Sequence, residues 1–170
     1  MVGDSTVVKT VANTVANNAK RFEESFARDS VLLKGFTRSL QMDDCSCGAQ
    51  CANVVLKYYR KDWSIQDVIG EFGSISNGID QHQLRRLFEH TGLKPVQLKS
   101  PTITKIKREI DQGFPVLVSI CEGDHWVVIY GYGNGSIFVA DPAVTCLRCR
   151  QSTNQFMTRW DKWAMAIRTE

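Results

Sequence analysis

Apolar residues recur at helical spacing in the part of the chain that follows residue 40. Ala52, Val55, Leu56 and Tyr59 fall on one stripe, which predicts a buried helix whose first turn holds Cys47. Capping residues with a partner three positions later, or a glycine after the last apolar residue, mark the ends of three more helices. These helices are predicted over residues 64–73, 80–90 and 102–112.

The remainder of the chain changes to short runs of β-branched and aromatic residues, which are typical of strands. The pair Asn134-Gly135 separates two of these runs and predicts a tight hairpin. Helices followed by antiparallel strands predict an α+β domain, with a helical lobe and a sheet lobe on either side of a cleft. The predicted strands are residues 93–98, 115–120, 125–132, 136–141 and 164–168, with a last helix over residues 154–162.

Residues 1–38 differ in character from the rest of the chain. Their apolar positions lie near helical spacing, but Asn, Ala and Thr dilute the pattern. We interpret this segment as one or two weak helices that form an N-terminal extension or arm. Residues 39–170 have the length and the pattern of one folded domain.

The charge and the apolar runs of the chain argue against a nucleic-acid partner, a signal peptide and a membrane span. The formal net charge is only +3, and the basic residues are scattered, which argues against nucleic acid. The N-terminus lacks the apolar core of a signal peptide, and no apolar run reaches the roughly 18 residues that a membrane-spanning helix needs. We therefore expect a protein without a membrane span that acts in a cytoplasm, either its own or that of a target cell, with any export using a route without a signal peptide.

The stretch QMDDCSCGAQC, residues 41–51, holds three of the six cysteines. Unpaired N–H groups and the helix dipole lower the pKa of a thiol at a helix N-terminus. Cys47 lies where the helical pattern begins, whereas Cys45 precedes it in an acidic loop and Cys51 lies one turn inside the helix. Cys47 is therefore the candidate nucleophile, Cys51 is expected in the core, and Gly48 is expected to leave room for a substrate.

A structural zinc site is the main alternative interpretation of the cysteines. Cys146 and Cys149 have the C-x-x-C spacing of zinc ligands, but C-x-C followed by x-x-x-C in residues 41–51 is not a usual second half. Neither a metal nor an organic cofactor is therefore expected. Cys121, at the end of a predicted strand, is expected to be a small core residue.

A cysteine nucleophile needs a base, and usually a third group that orients the base. Of the three histidines, His82 and His90 lie among polar residues of one predicted helix and are expected at the surface. His125 instead opens a predicted strand after a Gly-Asp turn. Pairing the two strands around the Asn134-Gly135 turn places Asp141 near residue 127, so Asp141 is the candidate orienting group for His125.

The carbonyl oxygen under attack needs hydrogen-bond donors as it gains negative charge. The backbone N–H of Cys47 is one candidate donor, and the side-chain amide of Gln41, six residues upstream, is the second. The predicted reaction is therefore acyl transfer from a peptide to a thiol. Because these groups do not by themselves select water as the acceptor, a transglutaminase, deamidase or acyltransferase of the same fold is the alternative to a protease.

Four motifs in order resemble the papain-like double-glycine peptidases, the bacteriocin-processing domains of peptide-exporting transporters and their freestanding relatives. The motifs are Gln41, the step CGA at residues 47–49, GDHWVVIYGY at residues 123–132 and VADP at residues 139–142. The resemblance covers residues 39–170 and implies a papain-like cysteine protease fold. It also implies that Gln41 is the oxyanion residue, Cys47 the nucleophile, His125 the base and Asp141 its orienting group, and that cleavage follows a Gly-Gly pair.

We therefore predict a bacterial papain-like cysteine endopeptidase whose partner is a protein or leader peptide with a Gly-Gly site. Two settings stay open, namely a processor of leader peptides and an antibacterial toxin or effector. The extension over residues 1–38 favours the toxin or effector slightly. An immunity or inhibitor protein is a further expected partner in that second setting.

Overall fold

The computed structural model of the protein describes residues 30–36, 40, 41, 43–143 and 149–169. The helices predicted within residues 1–29 lie outside the described residues, and the boundary at residue 38 stays a prediction. The described helices are α1 (Cys47–Tyr58), α2 (Ile65–Phe72), α3 (Gln81–His90), α4 (Ile103–Asp111) and α5 (Thr153–Arg159). The strands are β1 (Ser30–Leu32), β2 (Lys94–Gln97), β3 (Val116–Ile120), β4 (His125–Gly133), β5 (Ser136–Ala140), β6 (Cys149–Ser152) and β7 (Trp160–Arg168).

Local capping signals determine where the helices start. Ser64 and Asp67 form a capping box at the start of α2, and Asp80 and Gln83 form another at the start of α3. Each box satisfies backbone N–H groups that the first helical turn leaves free. The predicted helix starts are therefore confirmed. None of the helices in the described part of the chain combines the length and apolar character needed to cross a bilayer.

The described strands β2 to β7 form one antiparallel sheet in the order β2-β7-β3-β4-β5-β6, and β1 pairs with β4. Helices α1 to α3 cover one face, where Val128 of β4 is buried, and α4 and α5 cover the other, where Val127 is buried. This arrangement confirms the predicted α+β fold. The strands β1 and β6 were not predicted, since three and four residues are too few for alternation to be visible.

The hairpin between β4 and β5 contains a bulge that changes its register. Asn134 and Gly135 both have positive φ, as the predicted two-residue turn requires. The pairs nearest the turn run from Gly133↔Ser136 to Gly131↔Phe138, but the next pair is Ile129↔Val139. Tyr130 is therefore the extra residue of a β-bulge, which shifts every later pair by one position.

The bulge determines the face of the sheet on which Asp141 lies. Beyond the bulge, Val128 pairs with Ala140, so one further step places Asp141 opposite Val127. Val127 is two residues from His125, and side chains two positions apart in a strand share a face. Without the bulge, Asp141 would lie opposite Val128 and face away from His125.

Residues 30–36 hold the bulged part of β4. The backbone N–H of Leu33 donates to the carbonyl oxygen of Tyr130 at 2.9 Å. The ring of Phe36 stacks between Tyr58 at 4.9 Å and Tyr130 at 5.1 Å. Since Leu33 is buried as well, this segment packs against the sheet.

Gly131, next to the bulge, is needed because β1 lies against it. A Cβ at this position would lie 2.5 Å from Leu32 Cδ2 and 2.7 Å from the carbonyl oxygen of Val31. Because the second atom belongs to the backbone, we expect Gly131→Ala to displace β1 and to lower the free energy of unfolding by about 1–3 kcal/mol. Denaturant unfolding measures this change.

Gly70 provides the matched control for that substitution. It lies in α2, and a Cβ there would have no neighbour within 4 Å. Alanine is a better helix former than glycine by roughly 0.5–1 kcal/mol, so Gly70→Ala should stabilise the protein slightly. Equal stability of Gly131→Ala and the wild type would show that β1 does not lie against β4 as described.

Candidate active site

Cys47 is the first residue of α1 and is 5% exposed. Its neighbour Ser46 is the N-cap but provides no side-chain capping bond, so the first-turn N–H groups are available to a negative charge near the helix N-terminus. The prediction that Cys47 begins the helix is confirmed. The helix itself is buried along most of its length against β4, which fixes the position of the thiol relative to the sheet.

His125 is the first residue of β4, with a side chain that is 15% exposed. Its Nε2 donates a hydrogen bond to Oδ1 of Asp141 at 2.7 Å. The Cys47 thiol lies beside the same imidazole, close enough for each side chain to shift the pKa of the other. Because Nε2 is occupied by Asp141, Nδ1 is the ring nitrogen left for the thiol. The structure therefore brings Cys47, His125 and Asp141 together, and the His125–Asp141 contact is the one that the hairpin argument predicted.

Asp141 follows the last residue of β5, and its side chain is 3% exposed. Burial raises the pKa of this carboxyl, but the hydrogen bond from His125, the backbone N–H of Ala143 at 2.9 Å, and the charges of His125 and Arg159 outweigh burial and lower it. Asp141 is therefore ionised at neutral pH. The contribution of Arg159 was not predicted, because α5 meets β5 only in the folded protein.

The thiol and the imidazole influence each other's protonation. Burial alone raises the pKa of Cys47, but the hydrogen bond from His125, the backbone groups of Trp126 and Gly48, and the imidazolium charge together lower it. Burial likewise disfavours charge on His125, but the bonds and charges of Asp141 and Cys47 outweigh it and raise its pKa to about 9. Such a pair favours thiolate and imidazolium over the two neutral groups.

Gln41 is tied to the same region through its backbone. Its N–H donates to the carbonyl oxygen of Pro142, the residue after Asp141, at 3.0 Å. Its side-chain oxygen Oε1 is buried and has no hydrogen-bond partner among the described residues. Gln41 itself is half-buried, and its side-chain oxygen keeps the capacity to accept a hydrogen bond from a further group.

A cleft of about 610 Å³ opens beside the Cys47 thiol. The indole of Trp126 lines it, donates from Nε1 to the carbonyl oxygen of Ile79 at 2.8 Å, and packs edge-on against Trp163 at 5.1 Å between ring centroids. Its lining is formed by Asp44, Cys45, Cys47, Asn77, Gly78, Ile79, Asp80, Gln81, Ser119, Gly123, Asp124, Trp126 and Trp163.

Gly48 has a different role from the one expected. A Cβ at this position would lie 3.1 Å from Ile79 Cβ and 3.2 Å from Trp126 Cδ1. The absence of a side chain therefore lets the start of α1 pack against the wall of the cleft, and it does not leave space for a substrate. This close packing fixes Trp126 beside the thiol.

The other cysteines have separate environments. Cys51 is buried, its thiol donates to the carbonyl oxygen of Trp126 at 3.1 Å, and burial raises its pKa well above the usual value, which confirms it as a core residue. Cys45 is half-buried and donates to the carbonyl oxygen of Ser76 at 3.1 Å. Cys121 was expected in the core, but this was wrong: it is exposed, because the chain turns sharply there after β3.

The described residues include no group of three or more histidine, cysteine, aspartate or glutamate side chains placed to hold a metal ion. Cys149 is the first residue of β6. Cys146, the other half of the C-x-x-C pair, lies outside the described residues. The predicted surface positions of His82 and His90 are confirmed, and His90 Nδ1 contacts Glu71 Oε1 at 2.7 Å.

The sequence profile of the peptidase C39 family matches residues 36–170. LagD of Lactococcus lactis subsp. lactis, a lactococcin-G-processing and transport ATP-binding protein, is 26% identical over 123 residues, which are 71% of this chain and 17% of LagD. The chain therefore spans less than a fifth of the curated relatives that it matches.

Two solved structures share the fold. The peptidase domain of Streptococcus ComA, a bifunctional transporter of a quorum-sensing pathway, superposes with a TM-score of 0.69 at 20% identity, over 79% of this chain and 99% of that domain. A double glycine motif protease from an AMS/PCAT transporter, in complex with its leader peptide, has a TM-score of 0.67 at 20% identity, over 83% and 99%.

Proposed function

Since this chain belongs to the peptidase C39 family and is a cysteine peptidase, we propose that Cys47, His125 and Asp141 form its catalytic triad. The observation that carries the proposal is the hydrogen bond between the His125 imidazole and the buried Asp141 carboxylate, beside the Cys47 thiol that lines the cleft. Its electrostatics agree, because the pKa of the thiol is lowered while that of the imidazole is raised to about 9. A nucleophile, a base and an orienting group are the parts that covalent catalysis requires.

In the proposed mechanism, the Cys47 thiolate attacks the scissile carbonyl carbon and forms a carbon–sulfur bond, so the carbonyl oxygen becomes an oxyanion. The His125 Nδ1–H then protonates the leaving amine as the peptide bond breaks, which leaves an acyl-enzyme. Neutral His125 next removes a proton from water, and the resulting hydroxide attacks the acyl carbon. Collapse of that intermediate releases the new carboxylate and restores the thiolate with its imidazolium. Asp141 keeps Nε2 protonated throughout.

Gln41 is the proposed oxyanion residue together with the backbone N–H of Cys47. Its backbone tether to Pro142 supports this role, because it holds the residue beside the Asp141 end of the site, and the side-chain Nε2–H group would be the donor to the oxyanion. Hydrogen-bond donors that are already fixed in position stabilise a developing oxyanion at little reorganisation cost.

The proposed substrate is a protein or leader peptide that is cut after a Gly-Gly pair. The AMS/PCAT protein is described as a double glycine motif protease, and LagD as a processing and transport protein. The indoles of Trp126 and Trp163, which line the cleft together with Cys47, favour residues without bulky side chains next to the scissile bond. The relatives favour peptide processing in the producing cell's cytoplasm over an effector with an immunity partner.

Mapping of new protein N-termini tests this proposal directly. Lysate treated with the protein should gain termini that follow Gly-Gly, whereas lysate treated with Cys47→Ala should gain none. Adding a primary amine distinguishes the transglutaminase alternative, since an acyltransferase would incorporate the amine into the acyl product and a protease would release the free carboxylate. A treated lysate without enzyme-dependent termini would contradict the peptidase assignment of Cys47.

A further inference from the structure

The turn between β3 and β4 has an unusual backbone. Cys121, Glu122 and Gly123 are three successive residues with positive φ, of 58°, 60° and 91°. Only glycine adopts this region without steric cost, so the first two residues are held there against their preference. Such strain persists only where the surrounding structure fixes it, and it is concentrated at functional sites.

One carboxylate holds this turn. Asp161 accepts hydrogen bonds from Ser119 Oγ at 2.6 Å and from the backbone N–H groups of Glu122 and Gly123, both at 2.9 Å. The N–H of Cys121 donates to the carbonyl oxygen of Arg159 at 2.8 Å. The start of β7 and the end of α5 therefore supply all four of these contacts.

An irregularity in β7 lets Asp161 reach the turn. Val118 pairs with Ala164, but Ile120 pairs with Trp160, so β7 has two more residues than β3 between these pairs. Lys162, inside this irregular part, has a positive φ of 58°. The irregular segment takes Asp161 out of the regular ladder and directs its carboxylate to the turn.

The turn contributes directly to the candidate active site. Ser119, Gly123 and Asp124 line the cleft beside Cys47, and His125 is the next residue in the chain. A change in the backbone at Glu122 or Gly123 therefore changes the wall of the cleft. It also moves the backbone of His125, and with it the imidazole.

We propose that Asp161 is a positioning residue for the reaction: by fixing the strained turn, it sets the cleft wall and the placement of His125 against Cys47. This inference rests on the proposed function of Cys47 and His125. Asp161 itself is exposed, so its replacement opens no cavity in the core. Asp161 accepts three hydrogen bonds and holds a strained turn that lines the cleft. A carboxylate that only capped backbone N–H groups at the surface would need neither the strain nor the place at the cleft.

Asp67 offers a matched control. It is an exposed aspartate that also accepts hydrogen bonds from a backbone N–H and a hydroxyl, both of Ser64, at the start of α2. It does not line the cleft. Asp161→Asn and Asp67→Asn therefore remove similar carboxylate interactions, one beside the proposed active site and one away from it.

The experiment compares the wild type, Asp161→Asn, Asp67→Asn and Ser119→Ala. The readouts are kcat and KM for a Gly-Gly peptide, the thermal midpoint, and the pH dependence of iodoacetamide alkylation at Cys47, located by peptide mass spectrometry. We expect Asp161→Asn to lower kcat about tenfold and to move the alkylation profile of Cys47 to higher pH. Ser119→Ala should give a smaller change in the same direction, and Asp67→Asn should change the midpoint alone.

Unchanged kcat and an unchanged Cys47 alkylation profile in Asp161→Asn would overturn the inference, as would an equal loss of kcat in Asp67→Asn. The alkylation profile requires no substrate, so it separates this inference from the proposed function. A wild-type protein in which Cys47 alkylates like an ordinary thiol and no Gly-Gly peptide is cut would overturn the proposed function and this inference with it.

Discussion

Replacement of Cys47 with alanine is expected to lower kcat for peptide cleavage on the order of 10⁴-fold or more. The reason is that the proposed mechanism has no other nucleophile. Cys51 is buried and its pKa is raised, and the thiol of Cys45 donates a hydrogen bond to the carbonyl oxygen of Ser76. Because alanine differs from cysteine only by the sulfur atom, the fold should be retained. Peptide hydrolysis with the thermal midpoint and circular dichroism spectrum checks both expectations.

Cys45→Ser is the control for that substitution. A serine hydroxyl can donate to the Ser76 carbonyl oxygen as the thiol does, at a position two residues from Cys47. We expect this variant to cleave peptide within a few-fold of the wild type. If Cys45→Ser lost cleavage while Cys47→Ala retained it, the assignment of Cys47 as the nucleophile would be wrong.

Removal of the Asp141 carboxylate is expected to have the second largest effect. Asp141→Ala should lower kcat by roughly 10²–10⁴-fold, because it removes both the hydrogen bond that orients His125 and the charge that stabilises the imidazolium. Asp141→Asn separates these two contributions. The amide oxygen of asparagine can still accept from Nε2–H but carries no charge, so the loss of kcat should be smaller.

The pH profile gives the sign of the charge effect in Asp141→Asn. The active ion pair exists above the lowered pKa of Cys47 and below the pKa of His125, which is raised to about 9. Loss of the negative charge disfavours the imidazolium, so the alkaline limb of kcat/KM should move to lower pH. A weaker imidazolium also stabilises the thiolate less, so the acid limb should move to higher pH. A profile of unchanged width would contradict the proposed role of Asp141.

Local signals in the sequence were sufficient for most elements. The capping pairs at Ser64 and Asp80, and the Asn134-Gly135 turn, depend on contacts within a few residues, and each is found where it was predicted. The site residues could be proposed because a helix N-terminus and two paired strand ends place Cys47, His125 and Asp141 by simple geometry. Their contact in the structure agrees with that placement.

Features that depend on distant contacts could not be predicted in this way. The pairing of Asp141 near Val127 holds only because a bulge at Tyr130 offsets a two-residue hairpin loop, and no periodicity signals that bulge. The exposure of Cys121 follows from a turn that Asp161 holds from 40 positions further along the chain. Gly48 was expected to leave room for a substrate. Its packing against Ile79 was not foreseen, because Ile79 is remote in sequence.

The position of β1 also matters for anyone who isolates this domain. Along one edge of β4, residues 125–129 pair with β3. The bond from Leu33 and the close approach of β1 to Gly131 place β1 beside the later residues of β4. The compact unit accordingly spans Val31–Glu170. A fragment cut at residue 36, where the family match starts, would lack β1 and the Leu33 N–H that donates to the carbonyl oxygen of Tyr130. Unpaired strand edges recruit strands from other molecules, so such a fragment would self-associate in solution, whereas one that starts before residue 30 would keep this edge paired.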